Sequence, residues 1–152
     1  MNNWTPGPGV FGRPQVVFLR FAPWAIFQNN HPHDLMWPVE MMYAKGIAHA
    51  AGWNPTIVDL HVEEFERDEL VRHLVMLQPD LLLIDTMTPT MAYARGIAGE
   101  VLDRMPDLKI WGIGQHATEQ SEDLLYPGSP ISGVLLGEYP GTIADLLACH
   151  GE

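Results

Sequence analysis

The segment between Ala22 and Pro38 concentrates side chains that suit ligand binding. It contains two tryptophans, three side-chain amides, two histidines and a methionine: Trp24, Gln28, Asn29, Asn30, His31, His33, Met36 and Trp37. Aromatic faces, amides and imidazoles fit the rim of a large, partly apolar ligand. The segment is also longer than the about 2–6 residues usual for a strand-to-helix loop. An ordered loop that packs its tryptophans on the protein would have the same composition, so both interpretations stay open.

Hydroxyl groups and a carboxylate follow a Leu-rich run at residues 85–90, which read Asp-Thr-Met-Thr-Pro-Thr. Thr88 directly precedes Pro89, and this pair predicts the start of a helix with Thr88 as its N-cap. Thr86 is then free to hydrogen-bond a ligand.

A glycine-containing turn occupies residues 112–118, which read Gly-Ile-Gly-Gln-His-Ala-Thr. Gly112 and Gly114 would let backbone N–H groups approach a ligand closely. Any tight turn uses glycine in the same way, so these two glycines alone identify no ligand.

Five short apolar runs predict the strands that carry these segments. Each is apolar almost throughout, as in a parallel strand buried on both faces. The runs are Val16–Phe21, Thr56–Leu60, Leu81–Ile84, Leu108–Ile113 and Val134–Leu136. Helical patterns alternate with them at Pro38–Ala51, Leu70–Leu77, Thr88–Met105, Glu119–Tyr126 and Gly141–Cys149. This alternation predicts an α/β fold, a doubly wound, flavodoxin-like or Rossmann-like sheet of five parallel strands.

We expect a single domain over residues 15–150, preceded by an extended Gly/Pro/Asn-rich arm over residues 1–14. In such a sheet, with strand order 2-1-3-4-5, ligands bind beyond the carboxyl ends of the strands, near the reversal between strands 1 and 3. The three segments described above all follow predicted strands, so we expect them at that edge.

Charge and cysteine content argue against several classes of protein. The 152 residues include 8 Lys and Arg against 19 Asp and Glu, a formal net charge of −11, which disfavours a nucleic-acid partner. The sequence has no apolar stretch of about 18 residues and no basic, apolar leader, which predicts neither a membrane span nor a secretory signal, and a cytoplasmic location. Cys149 is the single cysteine, which excludes an internal disulfide and a multi-cysteine iron–sulfur cluster.

Particular residues argue against three classes of protein: receiver domains, dinucleotide-binding domains and hydrolases with a nucleophile elbow. Asp85 matches the phospho-acceptor position of a receiver domain, but that class also needs an acidic pair after strand 1, a Ser or Thr after strand 4 and a Lys after strand 5. Those places hold Ala22-Pro23, Gly114 and Gly137. No G-x-G-x-x-G motif follows strand 1 and no G-x-S-x-G motif exists, so a dinucleotide fingerprint and a nucleophile elbow are both absent.

The stretch from Pro38 to Leu147 resembles the cobalamin (vitamin B12)-binding domain at the N-terminus of many radical S-adenosylmethionine (SAM) enzymes. Four marks carry the resemblance, in the order in which that family has them. They are Ala48–Gly52 followed by Thr56–Asp59, the Pro-Asp-led strand Gln78–Ile84, the turn Gly114–Thr118 against G-G-x-H-A-T, and Gly137–Thr142 against G-E-x-x-x-T.

The resemblance implies a corrin ring across the strand ends and a nucleotide tail threaded between the sheet and its helices. Small residues and glycines would line the path of the tail, and apolar side chains would face the ring. The cofactor-binding residues that it implies, together with the loop candidates, are Trp24, His33, Trp37, Thr86, Met87, Thr88, Gly112, Gly114, Gln115, His116, Ala117, Gly137, Glu138 and Tyr139. Because the protein is acidic, the phosphate of the tail would depend on backbone N–H groups.

Several residues depart from the family pattern. Ile113 replaces the first glycine of the pair, and Asp85 replaces a small hydroxyl at the end of strand 3. The D-x-H-x-x-G motif, which supplies a cobalt-binding histidine in other cobalamin proteins, does not follow strand 1. Asp59-Leu60-His61, at the end of strand 2, matches only the D-x-H part of this motif, which makes His61 a candidate cobalt ligand. Trp24, His31 and His33 are further candidates for the lower face of the ring.

We expect no catalytic centre in this chain, because one cysteine cannot supply the C-x-x-x-C-x-x-C ligand set of a radical SAM cluster. The sequence predicts a module that positions a corrinoid for a radical SAM-type active site, in methyl transfer or a related reaction, on a partner or a downstream domain. A cofactor-free interaction or sensor domain of the same fold is the alternative, favoured by Ile113 and Asp85. Direct binding of a metal ion by the His/Asn-rich loop with Asp59 and His61 is a third possibility.

Overall fold

Five parallel strands form one sheet in the order β2-β1-β3-β4-β5, in a computed structural model that describes residues 12–22 and 37–150. The strands are β1 (Gln15–Arg20), β2 (Asn54–Asp59), β3 (Leu81–Asp85), β4 (Lys109–Ile113) and β5 (Gly133–Val134). The helices are α1 (Val39–Ala50), α2 (Arg67–Met76), α3 (Met91–Arg104), α4 (Gln115–Glu119) and α5 (Ile143–His150). The predicted fold class and strand order are confirmed. The predicted N-terminal arm lies outside the described residues except for residues 12–14.

Helices cover both faces of the sheet. On one face, Val16 and Phe18 of β1 belong to a buried cluster with side chains of α1 and α5. On the other, Val17 and Leu19 belong to a cluster with side chains of α2 and α3. All six residues of β1 are buried, which explains why this strand reads as a continuous apolar run and not as an alternating one. Within the described residues, no helix is long and apolar enough to cross a bilayer.

The helix predicted over Glu119–Tyr126 is wrong. Gly114, at φ +92°, turns the chain directly after β4, and α4 begins at the next residue. Helix α4 ends at Glu119, and residues 121–123 form only a single 3-10 turn. Of the two leucines in the predicted range, Leu124 is buried and Leu125 is exposed.

Thr88 is not the N-cap of a helix. Thr88–Thr90 form a 3-10 turn, α3 begins at Met91, and neither element has a side-chain capping hydrogen bond. The hydroxyl of Thr88 lies instead 3.0 Å from Nδ1 of His116, which arrives from a distant part of the chain. This tertiary contact competes with local capping.

Candidate functional site

The carboxyl ends of the neighbouring strands β2, β1 and β3 bring charged residues to one edge of the sheet. Arg20 ends β1 and is paired in register with Asp59, which ends β2. Nη1 of Arg20 lies 3.2 Å from Oδ2 of Asp59, and each side chain is only 10% exposed. Asp85 ends the neighbouring β3. An ion pair buried to this extent loses hydration, so its hydrogen bonds must compensate for the loss.

Asp59 is fixed by further hydrogen bonds. Its backbone N–H donates to Oε1 of Glu63 at 3.0 Å, and its Oδ1 accepts the backbone N–H of His61 at 3.0 Å. These bonds hold the turn after β2 and orient the carboxylate toward Arg20.

His61 is anchored through its ring as well. Its Nε2 lies 3.2 Å from the carbonyl oxygen of Phe21, and a carbonyl only accepts, so Nε2 carries the proton. Burial and the charge of Arg20 lower the pKa of His61, which keeps the ring neutral. In this arrangement only Nδ1 has a lone pair for cobalt, and that atom is buried. The role of His61 as a cobalt ligand stays a prediction that this geometry does not favour.

Asp85 carries the most perturbed carboxyl group of the edge. Burial raises the pKa of Asp85 to about 6, against an attraction to Arg20 and in concert with repulsion from Glu40 and Asp59. Its Oδ1 lies against Gly114, where a Cβ atom would collide with it. Gly114 therefore serves two purposes, since it adopts positive φ and leaves room for the carboxyl of Asp85.

Tyr139 reaches the same edge from the 3-10 turn that precedes α5. The residue is 3% exposed. Burial raises the pKa of Tyr139, and the charges of Asp85 and Glu40 raise it further. Tyr139 belongs to the buried cluster with Met41 of α1, Leu83 of β3 and Ile113 of β4, on the face of the sheet that α1 and α5 cover.

Hydrogen bonds of Thr86 connect the turn after β4 to the end of β3. Its hydroxyl donates to the carbonyl of Ile113 at 2.8 Å and accepts the N–H of Ala117 at 2.9 Å. Its carbonyl accepts the N–H of His116 at 2.9 Å, and the N–H of Thr118 donates to Gly114. The backbone N–H groups of residues 116–118 thus already have partners within the chain, which leaves them unavailable to a phosphate.

Substituting Thr86→Val is expected to lower the free energy of unfolding by about 1–3 kcal/mol, because the buried N–H of Ala117 loses its acceptor. Urea unfolding measures the change. Thr118→Val is the matched control, since the exposed Thr118 hydroxyl competes with water for its bonds to Gly114 and Gly137. Equal losses of unfolding free energy in both variants would show that the buried Thr86 hydroxyl contributes no more than the exposed Thr118 hydroxyl.

His116 is 5% exposed and lies between two polar groups. Nδ1 is hydrogen-bonded to Thr88, whereas Nε2 is 3.6 Å from Oδ2 of Asp123, beyond a normal hydrogen bond. The imidazole therefore ties the turn after β4 to the turn after β3. Among the described residues, no group of three or more His, Cys, Asp or Glu side chains could hold a metal ion.

A groove of about 460 Å³ runs between α5 and the edge of the sheet formed by β4 and β5. It is lined by Trp111, Leu135, Thr142, Asp145, Leu146, Cys149 and His150. Thr142 lies just before α5, on the side where the strands end. His150 lies at the other end of α5, with its Nε2 3.3 Å from the carbonyl of Asp80, which precedes β3. The groove therefore follows α5, with Thr142 at its end nearer the strand ends and His150 at the other.

Trp111 forms a wall of this groove because β5 begins with glycine. A Cβ atom at Gly133 would lie 2.8 Å from the indole of Trp111, so only glycine lets the ring cover the strand. Sequence reasoning missed Trp111, Leu135 and Cys149, although an aromatic residue opposite a glycine in paired strands was a usable signal.

The structure separates the predicted site residues into groups. Trp37, Thr88, Gln115, Gly137 and Glu138 are exposed at the strand-end edge or in the loops next to it, and Met87 is half-buried there. Thr86, His116, Ala117 and Tyr139 are buried. Trp24 and His33 lie outside the described residues.

Gly112 does not line the groove. A Cβ atom at Gly112 would lie only 3.1 Å from Cδ1 of Leu124. Val134 and Thr86 also pack against this position. This packing lies on the side of the sheet that faces α2 and α3, whereas the groove lies on the side of α5. The groove beside α5 therefore does not run along Gly112 and Ala117, which the sequence predicts on the path of the tail.

The strand order and the helices on both faces of the sheet define a flavodoxin-like α/β domain. The family model "B12 binding domain" matches residues 31–147, so the chain belongs to the family of B12-binding domains. No curated protein sequence matches the chain.

Solved structures agree on the fold. A response regulator from Thermotoga maritima superposes with a TM-score of 0.63 at 11% identity, over 91% of this chain and 98% of the other. A CheY-like protein (tadZ) from Pseudomonas aeruginosa PAO1 gives 0.60 at 15% identity, over 91% and 100%. At these identities the likeness concerns the fold alone.

Proposed function

We propose that this protein holds cobalamin with the corrin ring across the carboxyl ends of the strands and the nucleotide tail in the groove beside α5. It would present the cofactor to a radical SAM-type active site on a partner or a downstream domain, for methyl transfer or a related reaction. The observation that carries the proposal is the groove along α5, which has Thr142 at the end nearer the carboxyl ends of the strands, where ligands bind in sheets of this kind.

The residues of the groove fit the tail. The indole of Trp111 and the side chains of Leu135 and Leu146 offer apolar walls to an aromatic base. The hydroxyl of Thr142 donates to the carbonyl of Tyr139 at 3.2 Å, so it can accept a hydrogen bond from a hydroxyl of the sugar. Asp145 also lines the groove and would repel a phosphate, which favours a position of the phosphate outside the groove.

The strand-end edge fits the ring. Trp37 is 80% exposed and Leu136 is 57% exposed, and both lie in or beside loops that follow strand ends. Exposed apolar side chains of this size are typical of a binding surface. Bound cobalamin would supply the cobalt-centred reactivity, while the protein orients the ring and limits its contact with water.

The partner in the proposal comes from the resemblance to radical SAM enzymes. Helix α1 supports it, because Val39, Met42 and Tyr43 are all more than half exposed along a helix that starts at the strand-end edge. A catalytic domain that reaches the upper face of the corrin would meet this helix.

Protein incubated with cyanocobalamin and then desalted is expected to retain about one corrinoid per chain, measured by its absorbance. Because Cys149 is the only cysteine and lines the groove, the bound corrinoid should also slow alkylation of its thiol by a maleimide about 10-fold or more. Denatured protein with the same corrinoid is the control for direct effects on the reagent. Loss of all corrinoid on gel filtration would exclude the proposal, and retention with unchanged Cys149 reactivity would exclude the groove as the site of the tail.

A cofactor-free interaction or sensor domain remains the second candidate. Two observations favour it, namely the packing of Leu124 on Gly112 and the position of Asp85 against Gly114. The desalting experiment decides between the two, because only a cobalamin-binding domain retains the corrinoid.

A further inference from the structure

Thr88, His116 and Asp123 form a chain of three polar side chains. Oγ1 of Thr88 lies 3.0 Å from Nδ1 of His116, and Nε2 of the same ring lies 3.6 Å from Oδ2 of Asp123. Thr88 and Asp123 are exposed, whereas His116 is only 5% exposed. An imidazole between a hydroxyl and a carboxylate is the arrangement by which many enzymes activate a hydroxyl as a nucleophile. Holding a corrinoid requires no such activation, so this chain of side chains points beyond the proposed function.

The buried ring nitrogen Nε2 of His116 fixes the direction of the hydrogen bond to Thr88. Among the described residues Nε2 has no hydrogen-bond partner. A lone pair on Nε2 would face the negative charge of Asp123 across 3.6 Å, whereas an N–H at this position is attracted to it. The proton of the neutral ring therefore belongs on Nε2, which leaves the lone pair on Nδ1. Nδ1 then accepts the hydrogen bond of the Thr88 hydroxyl and is placed to take its proton.

We propose that Thr88 is an acylation site, at which its hydroxyl attacks activated carboxylic esters with His116 as the general base. Oγ1 of Thr88 forms a bond to the ester carbonyl carbon while its proton moves to Nδ1 of His116. The bond from that carbon to the leaving oxygen then breaks, and the leaving alcohol takes the proton from Nδ1. Asp123 is a positioning residue, because its carboxylate stabilises the ring while it carries both protons. The products are O-acylated Thr88 and a free alcohol or phenol.

Acetylation by p-nitrophenyl acetate tests the site in the full chain without added corrinoid. Mass spectrometry of its peptides measures the rate at each hydroxyl. Ser132 is the internal comparison, because its residue is exposed and its hydroxyl makes no hydrogen bond to a histidine among the described residues. We expect Thr88 to be acetylated at least about 10-fold faster than Ser132, because a general base contributes about 10²–10⁴-fold. This order reverses the one expected from steric hindrance, since the hydroxyl of threonine is the more hindered.

Variants of the other two residues separate a chemical role from a structural one. His116→Gln removes the base and should lower the rate at Thr88 to that at Ser132. Asp123→Asn alters only an exposed side chain, so the fold is kept, and it should slow acetylation of Thr88 at least about 10-fold. Asp123→Glu keeps the carboxylate and should retain most of the rate.

The solvent isotope gives a second measurement that a structural role would not affect. Acetylation of Thr88 should be slower in D₂O in the unmodified protein, because a proton moves to His116 as the new bond forms, and this difference should disappear in His116→Gln. Acetylation of Thr88 no faster than that of Ser132, or an unchanged rate in Asp123→Asn, would overturn the proposal. Because no corrinoid is present, either result leaves the proposed function untouched.

Discussion

Replacing Cys149 with tryptophan is expected to lower the affinity for cyanocobalamin by at least about 100-fold. Cys149 lines the groove beside α5 and is exposed, so an indole at this position fills the groove without entering the hydrophobic core. Burying an aromatic group of about 150–250 Å² contributes several kcal/mol, and loss of about 2.7 kcal/mol corresponds to 100-fold in affinity. Equilibrium dialysis against cyanocobalamin measures the change.

Two controls make this prediction specific for the tail. Ala148→Trp places the same side chain on the preceding, exposed residue of α5, which does not line the groove, and should bind cyanocobalamin normally. Cobinamide lacks the nucleotide tail, so its affinity should be the same in Cys149→Trp and in the unmodified protein. Normal binding of cyanocobalamin by Cys149→Trp would place the tail outside this groove.

Asp85→Asn is expected to raise the free energy of unfolding at pH 7.5 by up to about 3 kcal/mol. The pKa of Asp85 is raised from 3.8 to about 6 in the folded protein, chiefly by burial. Each pKa unit corresponds to 1.36 kcal/mol, so ionised Asp85 destabilises the fold by about this amount. Asparagine has nearly the same shape but no charge, and it retains a hydrogen-bonding group.

The pH dependence gives the sign of this effect. Because the folded protein binds the proton of Asp85 more tightly than the unfolded chain does, the stabilisation is fully present below pH 3.8 and is lost as the pH rises through about 6. The advantage of Asp85→Asn should therefore be large at pH 7.5 and close to zero at pH 4, as measured by urea unfolding at both values. Asp107→Asn controls for general loss of a carboxylate. A less stable Asp85→Asn at pH 7.5 would mean that attraction to Arg20 outweighs burial.

The strands show what could be predicted from local sequence. The run at Val16–Phe21 predicted β1 because a strand covered on both faces needs apolar side chains at consecutive positions. The short β5 and the region of α4 were predicted less well. Their boundaries depend on contacts such as Trp111 on Gly133 and Leu124 on Gly112, which local periodicity does not contain.

For the candidate site, the residues could be predicted from the sequence better than their roles. Glycines, hydroxyls and the histidine after β3 and β4 were identified because they follow strand ends, where this fold binds ligands. Their roles were not predicted, since hydrogen bonds of Thr86 and His116 connect the segment after β3 to the segment after β4. The predicted loop residues Trp24 and His33 lie outside the described residues and stay predictions.

The order of strands and helices, the expectation that a ligand binds at the strand ends, and the resemblance to B12-binding domains could all be read from the amino-acid sequence. These follow from the spacing of apolar residues and from short motifs, which act over a few neighbouring positions. The tertiary structure alone decided that the open groove lies beside α5, that Arg20 pairs with Asp59, 39 residues away, and that Asp85 lies against Gly114. Those features depend on which face each side chain takes and on which strands become neighbours, and packing of the whole domain sets both.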